Sequence, residues 1–447
     1  YVVSDWGGSN DHALGVKNGS HLEMPGTGKS GMHDIVNAVK NGTLEESVLD
    51  QRLDELLRVI FATHQATVDG KGTTFNKEAH HKLARKAAEE SIVLLKNEEQ
   101  ILPLKQGTKV AVIGDFAKTP RYQGAGSSLV NPAMPPESIL EEIKDSGLTM
   151  TACEQGYIRN RKPNAKMVKA AVEAAKNADV VLFFGGLTDI AEGEGYDRES
   201  FSLPQNQSVL LQELLKVNDN MGFISISGSP YEMQLVCRCR AVLQLYLGGE
   251  AAGTACARLV TGKANPCGKL AETIPYREED VPSYGNFGKQ KEQRLHPDEV
   301  EYRESIFVGY RYYDTFQVPV RFCFGHGLSY TSFSYSNLTI TENADQSYTV
   351  TFEVENTGET AGMEISQVYV RNSQTEDFRA KRELRGFAKT ALQPGEKKKV
   401  EVMLTDRTFS VYQNSEFQVI GGTYEIQIGA SLNDIRLTKE MEISGVE

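Results

Sequence analysis

Two periodicities divide this chain. Over roughly the first 280 residues, runs of consecutive apolar residues alternate with stretches spaced like helices. From residue 334 onward, apolar and polar residues alternate one by one. Apolar runs at 110–113, 180–184, 223–226 and 241–247 predict strands buried on both faces. Between them, 138–143, 167–175 and 209–217 predict helices, so this region reads as a mostly parallel sheet sandwiched by helices. Before it, Val48, Leu53, Leu56, Leu57 and Ile60 share one helical face. A second helix is expected through 81–97, with Leu83, Ala87, Ser91, Leu94 and Leu95 on one side. In the last region Val350, Phe352 and Val354 alternate up to a turn at Asn356-Thr357-Gly358, which predicts a β-sandwich.

The opening residues 1–4 read as the end of a buried strand, followed by a polar loop and a short apolar piece at 22–24. The expected organisation is therefore α/β plus all-β. Residues 1–65 are the C-terminal part of a (β/α)8 barrel and 66–83 a linker. Residues 84–280 form an α/β sandwich with a mostly parallel sheet, and 281–333 a Pro/Gly/Tyr-rich connector. Residues 334–447 form a fibronectin type III-like β-sandwich.

The net charge of −12 argues against nucleic acid or an anionic membrane as the main partner, since both call for basic surface. No apolar run approaches the length of a membrane span. Six scattered cysteines match no disulfide framework and point to free thiols in a reducing, cytoplasmic compartment. No zinc spacing and no EF-hand spacing occur, so no metal or other cofactor is expected.

Several short stretches could carry chemistry. Asp5 directly follows a strand, where barrel enzymes place catalytic groups, and the sole tryptophan, Trp6, offers a flat face to a sugar ring. Asp5 reads equally well as a helix cap or turn residue. Glu192 and Glu194 flank Gly193 in a Gly-rich loop after a strand, with Asp197 and Arg198 able to hold that loop; a solvated acidic loop is the plain alternative. "RYQGAGSSLVNP" offers a tight loop with hydrogen-bonding capacity, but Leu129 occupies the last glycine of a dinucleotide fingerprint, against a nucleotide-using enzyme. His326, between two glycines, reads as structural.

Taken together, "VVSDWGG", "LEMPG", "ARKAAEESIVLLKNEEQILPL", "VAVIGDFA", "QGAGSSLVNP", "EGEGYDRESFSLPQNQ", "NPCGKLAETIP", "FGHGLSYTSFSYS" and "ELRGFAKTALQPGE" resemble glycoside hydrolase family 3. They occur in that family's order along almost the whole chain. The resemblance implies a retaining β-glucosidase with Asp5 as nucleophile and Glu194 as acid/base. Trp6, Ser127, Ser128 and Tyr196 would bind substrate, a small β-glucoside or oligosaccharide. β-Xylosidase activity, another glycosidase specificity or an inert carbohydrate-binding chain remain alternatives. An acid at Glu194 is expected to have its pKa raised to about 6 by desolvation when the Gly-rich loop closes over the sugar. The resemblance also implies that earlier barrel strands come from a further segment, and leaves open whether copies of the chain associate. Two departures stand out. His21 replaces an Asp before Leu-Glu-Met-Pro and is expected to alter the sugar rim. Cys323 replaces a Pro before Phe-Gly-His-Gly, a local backbone change.

Overall fold

A computed structural model describes residues 1–72, 74–195, 198–286, 302–372 and 379–445. The chain separates into two units, Tyr1–Asn76 and Lys77–Glu447. The first holds β1 (Val2–Val3), α1 (His12–Lys17), β2 (Ser20–Leu22), α2 (Lys29–Lys40) and α3 (Glu46–Asp69). β1 and β2 pair in parallel across α1, the strand–helix–strand repeat from which barrels are built. Among the described residues no further strand joins this pair, so a barrel is not formed.

The second unit opens with α4 (Lys77–Ser91) and β3 (Val93–Asn97). Next come β4 (Lys109–Ile113), α5 (Asp115–Lys118), α6 (Ile139–Lys144), β5 (Thr149–Glu154) and α7 (Ala165–Lys176). β6 (Val180–Gly186), α8 (Gln205–Leu214), β7 (Met221–Ile226), β8 (Ala241–Gln244) and α9 (Ala252–Val260) complete the layered part. The sheet order is β3-β8-β7-β6-β4-β5, parallel except for β3, which pairs antiparallel with β8. α9 packs on α4 and α6, and α7 on α8, covering the two faces. Every residue of β6 and β7 is buried, the reason their sequences are apolar without alternation.

Three expectations are corrected here. The predicted helix over 81–97 ends at Ser91, because Ile92, Val93, Leu94 and Leu95 are all buried as an edge strand against β8. Four consecutive buried residues suit a covered strand and not one stripe of a helix. The linker is shorter than 66–83: α3 runs to Asp69 and α4 starts at Lys77, so a boundary at 84 would cut α4. β5 was not expected because it is an edge strand whose residues alternate between exposed and half-buried, leaving no apolar run.

The connector between the layers and the sandwich contains β9 (Ile274–Pro275), α10 (Tyr310–Thr315) and β10 (Val320–Phe322), with β9 and β10 antiparallel. Residues 287–301 of the expected connector lie outside the described residues. The sandwich follows as β11 (Phe333–Glu342), β12 (Tyr348–Asn356), β13 (Gly362–Asn372), β14 (Glu383–Leu392) and β15 (Lys397–Leu404). α11 (Asp406–Phe409), β16 (Ser410–Gln413), β17 (Glu416–Val419), β18 (Gly422–Ser431) and β19 (Asp434–Ile443) close it. A three-stranded sheet β11-β12-β15 faces a four-stranded sheet β14-β13-β18-β19. Val350, Phe352, Val354, Val368, Val370, Tyr424, Ile426 and Ile428 fill the space between them. His326 Nε2 lies 2.8 Å from Leu95 O, with burial lowering the ring's pKa, in line with a structural role. All six cysteines are free. Among the described residues no helix is long and apolar enough to cross a membrane.

α4 is fastened to the layered part by His81. Its Nδ1 lies 2.9 Å from Glu250 and its Nε2 2.9 Å from Glu137, so both ring nitrogens face carboxylates. This geometry is satisfied in full by the imidazolium, and the hydrogen bonds its ring donates to Glu250 and then Glu137 raise the His81 pKa above 6.5. A raised folded-state pKa gives stability that is complete below the unfolded value and disappears as pH climbs through the folded one. His81→Gln is therefore expected to destabilise by roughly 1 kcal/mol near pH 5.5 and by less near pH 9. Thermal or urea melts of both proteins at the two pH values check this; an equal gap at both would show that the charge is not involved.

Candidate active site

In an open parallel sheet, ligands gather beyond the carboxyl ends of the strands, where neighbouring strands send the chain in opposite directions. Here that point lies between β4 and β6. The chain leaves β4 toward β5 on one side and leaves β6 toward β7 on the other. The two loops that start there carry the motifs singled out above. Gly114 begins the first at φ +126°, with the position of a Cβ only 2.1 Å from Phe184 O, so this turn requires glycine.

The two loops lie side by side in a short parallel register. The Arg121 guanidinium pairs with Glu192, and its Nη2 donates to Glu192 O at 3.2 Å. Ala125 bridges Gly193. The Ser127 amide donates to Glu194 Oε2 at 2.6 Å. The two carboxylates flanking Gly193 thus have opposite surroundings. Glu192 is nearly buried, with Gly228 N at 3.0 Å, Ser229 N at 2.7 Å and the Ser229 hydroxyl at 2.5 Å donating to it from the loop after β7. Glu192 is a bolt between three loops, while Glu194 on the same loop stays exposed.

The electrostatics of Glu194 as an exposed group run opposite to the raised value expected under a closed loop. The pKa of Glu194 is lowered, by hydrogen bonds from the Ser127 hydroxyl and then the Ser127 amide. Desolvation opposes them but is the smallest cause, so the ionised form is favoured. Nearby, Glu272 is pushed up by burial and accepts the Tyr246 hydroxyl at 3.1 Å. Tyr246 follows β8 and has φ +56°, an uncommon backbone for tyrosine.

The other expected positions vary. The Ser128 hydroxyl turns back to Ala125 O at 3.2 Å and so braces its own turn. Tyr196 and Asp197 lie outside the described residues. Arg198 does hold the loop, donating to Pro230 O at 2.7 Å. Arg121 and Ser229 were missed by the sequence reading. The available signal was an arginine close after a buried strand, facing an acidic loop that needed an anchor.

In the first unit, Asp5 follows β1 and is exposed, its Oδ1 accepting the Trp6 amide at 2.9 Å. Gly7 at φ +74° and a Gly8 amide bond to Asp5 O at 2.9 Å turn the chain sharply. Trp6 is 71 % exposed. His21 departs from its expected role. Its Nδ1 accepts the Val2 amide at 2.9 Å, which puts the proton on Nε2, and Nε2 donates to Glu55 at 2.6 Å. The side chain is only 6 % exposed. Here it ties β1 to α3, and is not a rim residue. Glu23 of "LEMPG" accepts the Thr27 amide at 3.2 Å, a bond that lowers its pKa. Among the described residues no cluster of three His, Cys, Asp or Glu side chains gathers as for a metal ion.

Residues 92–330 match the glycosyl hydrolase family 3 C-terminal domain, and residues 364–432 match a fibronectin type III-like domain. The chain is 41 % identical to thermostable beta-glucosidase B of Acetivibrio thermocellus, over 99 % of this chain and 59 % of that protein. It is 35 % identical to exo-alpha-(1->6)-L-arabinopyranosidase of Bifidobacterium longum, again over 99 % and 59 %. Among solved structures, the beta-glucosidase of Bifidobacterium adolescentis superposes with a TM-score of 0.92 at 35 % identity, over 99 % of this chain and 64 % of that one. Beta-glucosidase 3B of Thermotoga neapolitana in complex with glucose gives 0.86 at 32 % identity, over 99 % and 66 %. The chain thus spans 59 % of the length of these two curated relatives.

Proposed function

The chain belongs to glycoside hydrolase family 3, and from that premise we propose that it carries both catalytic carboxylates of a retaining β-glucosidase. The observation that supports this most is the division of labour around Gly193: Glu192 is locked by Arg121, Gly228 and Ser229, while Glu194 stays exposed on the same loop. Asp5 attacks the anomeric carbon of a terminal β-glucosyl unit while Glu194 protonates the glycosidic oxygen, and the aglycone leaves as an alcohol. Glu194 then removes a proton from water. That water attacks the anomeric carbon, breaks the bond to Asp5 and releases glucose. Such chemistry places the two carboxyl groups about 5–5.5 Å apart across the bond. Trp6, exposed beside Asp5, supplies an apolar face for the sugar ring.

Activity on this reading uses a further barrel segment. Tyr1, Val2 and Val3 on β1, and Leu53, Leu57, Ile60 and Phe61 on α3, are exposed apolar residues of the kind that neighbouring barrel strands and helices cover. The segment would be on the order of 200 residues, from the usual barrel length. The arabinopyranosidase relatives favour one second reading, a pentopyranoside substrate. The test is hydrolysis of aryl β-D-glucoside, β-D-xyloside and α-L-arabinopyranoside by the chain alone and co-expressed with a family barrel segment. Glucoside turnover only in the co-expressed material is expected. A monodisperse 49.4 kDa species that hydrolyses the glucoside unaided would overturn the need for the segment. Turnover of none of the three by either material would overturn the glycosidase reading.

A further inference from the structure

The contact between Glu194 and the 126–128 turn is closer than an exposed side chain needs. The Ser127 amide donates to Oε2 at 2.6 Å. Gly126 sits beneath the carboxylate at φ +83°, where a Cβ would lie 2.7 Å from Glu194 Cβ and 2.8 Å from Oε2. The turn itself is fixed, with the Leu129 amide donating to Gly126 O at 3.1 Å and the Ser128 hydroxyl to Ala125 O. On either side of it, the Ala125–Gly193 bridge and the Arg121–Glu192 pair hold the two loops in register. Arg121 is spent on Glu192, so the bracket offers Glu194 neutral donors only.

We propose that Ser127 is a positioning residue that parks Glu194 as a carboxylate between turnovers, and that leaving this bracket arms it as the acid. This rests on the acid/base reading of Glu194 given above. Parked, the carboxylate receives donors that favour its charged form. On returning to the turn after deglycosylation, Glu194 gives up to solvent the proton it took from the attacking water. Displaced from Ser127 toward a glycosidic oxygen, it loses these donors, takes a proton back from hydronium in solvent and passes it to the leaving oxygen. The lowered pKa of the parked group agrees with this sequence of events. Glycine at 126 has a mechanical reason: it lets the carboxylate approach the turn.

The test uses the assembled enzyme, with Glu194 followed through its carboxyl carbon by NMR on 13C-glutamate-labelled protein and assigned by its loss in Glu194→Gln. Glu194 is expected to titrate below the other exposed glutamates. In Ser127→Pro, which removes the amide donor, it should move upward, and in Ser127→Thr, which keeps that donor, it should stay low. The alkaline limb of kcat/KM on an aryl β-glucoside should move to higher pH in Ser127→Pro and stay in place in Ser127→Thr. Gly126→Ala, which pushes Glu194 off the turn, should shift it the same way. Ordinary titration of Glu194 in the wild type, or no response to Ser127→Pro, would overturn the bracket while leaving the acid/base role to its own test by azide rescue.

Discussion

Asp5→Ala in the assembled enzyme is expected to reduce turnover by roughly 10⁴-fold or more, the scale seen when a covalent nucleophile is removed. The loss should appear with little change in folding. Asp5 is exposed, and its side chain accepts only the local Trp6 amide among the described hydrogen bonds, so no buried partner is left unpaired. Asp5→Asn keeps that acceptor and the shape, and is expected to lose activity to a similar degree, which separates nucleophilicity from geometry. A 2-deoxy-2-fluoro glucoside with an activated leaving group should accumulate as a covalent adduct, and peptide mapping should find it on Asp5. Label on any other carboxylate would remove Asp5 from the mechanism.

The two glutamates beside Gly193 are expected to fail in different ways. Glu194→Ala should fold normally and lose about 10²–10⁴-fold in kcat/KM on substrates with poor leaving groups. Activated aryl glucosides should suffer less, and azide should restore part of the rate by replacing the base, giving a β-glucosyl azide. Glu192→Ala removes the partner of a buried guanidinium and two backbone donors, a loss expected to cost about 3–5 kcal/mol in stability. Azide has nothing to rescue there. Urea melts and azide-dependence curves on both variants separate the two roles. Azide rescue in Glu192→Ala with a stable fold, and none in Glu194→Ala, would exchange them.

Much of the layered fold could be read from the chain because its strands are buried on both faces. A continuous run such as Val180–Gly186 leaves no other place to go. The failures lie at the edges of the sheet. Residues 93–97 obey a helical stripe as well as a strand, and only the pairing with β8 decides between them. β5 was hidden because an edge strand can bury half of each turn of its zigzag with Met150 and Ala152 alone. The candidate site was legible as a set of residue types, and its proposed carboxylates, Asp5 and Glu194, were singled out from their motifs. What could not be read was which of Glu192 and Glu194 is anchored. That depends on Arg121, Gly228 and Ser229, which reach Glu192 from 71, 36 and 37 residues away. Nor did composition reveal that His21 faces inward, since its partners Val2 and Glu55 lie on separate elements.

On the proposed roles, the register between the two switch-point loops makes residues 77–447 a portable acid-bearing cassette. Arg121, Ser127, Gly228 and Ser229, which set Glu192 and Glu194, all follow Lys77, as do both partners of His81. A chimera joined between α3 and α4 would carry the acid and its supports as one inherited part. Leaving-group preference and proton economy would then travel with residues 77–447, while the recipient's own nucleophile and sugar grip stayed behind. Joined at 84 instead, the same exchange would strand Glu137 and Glu250 without the histidine that bridges them.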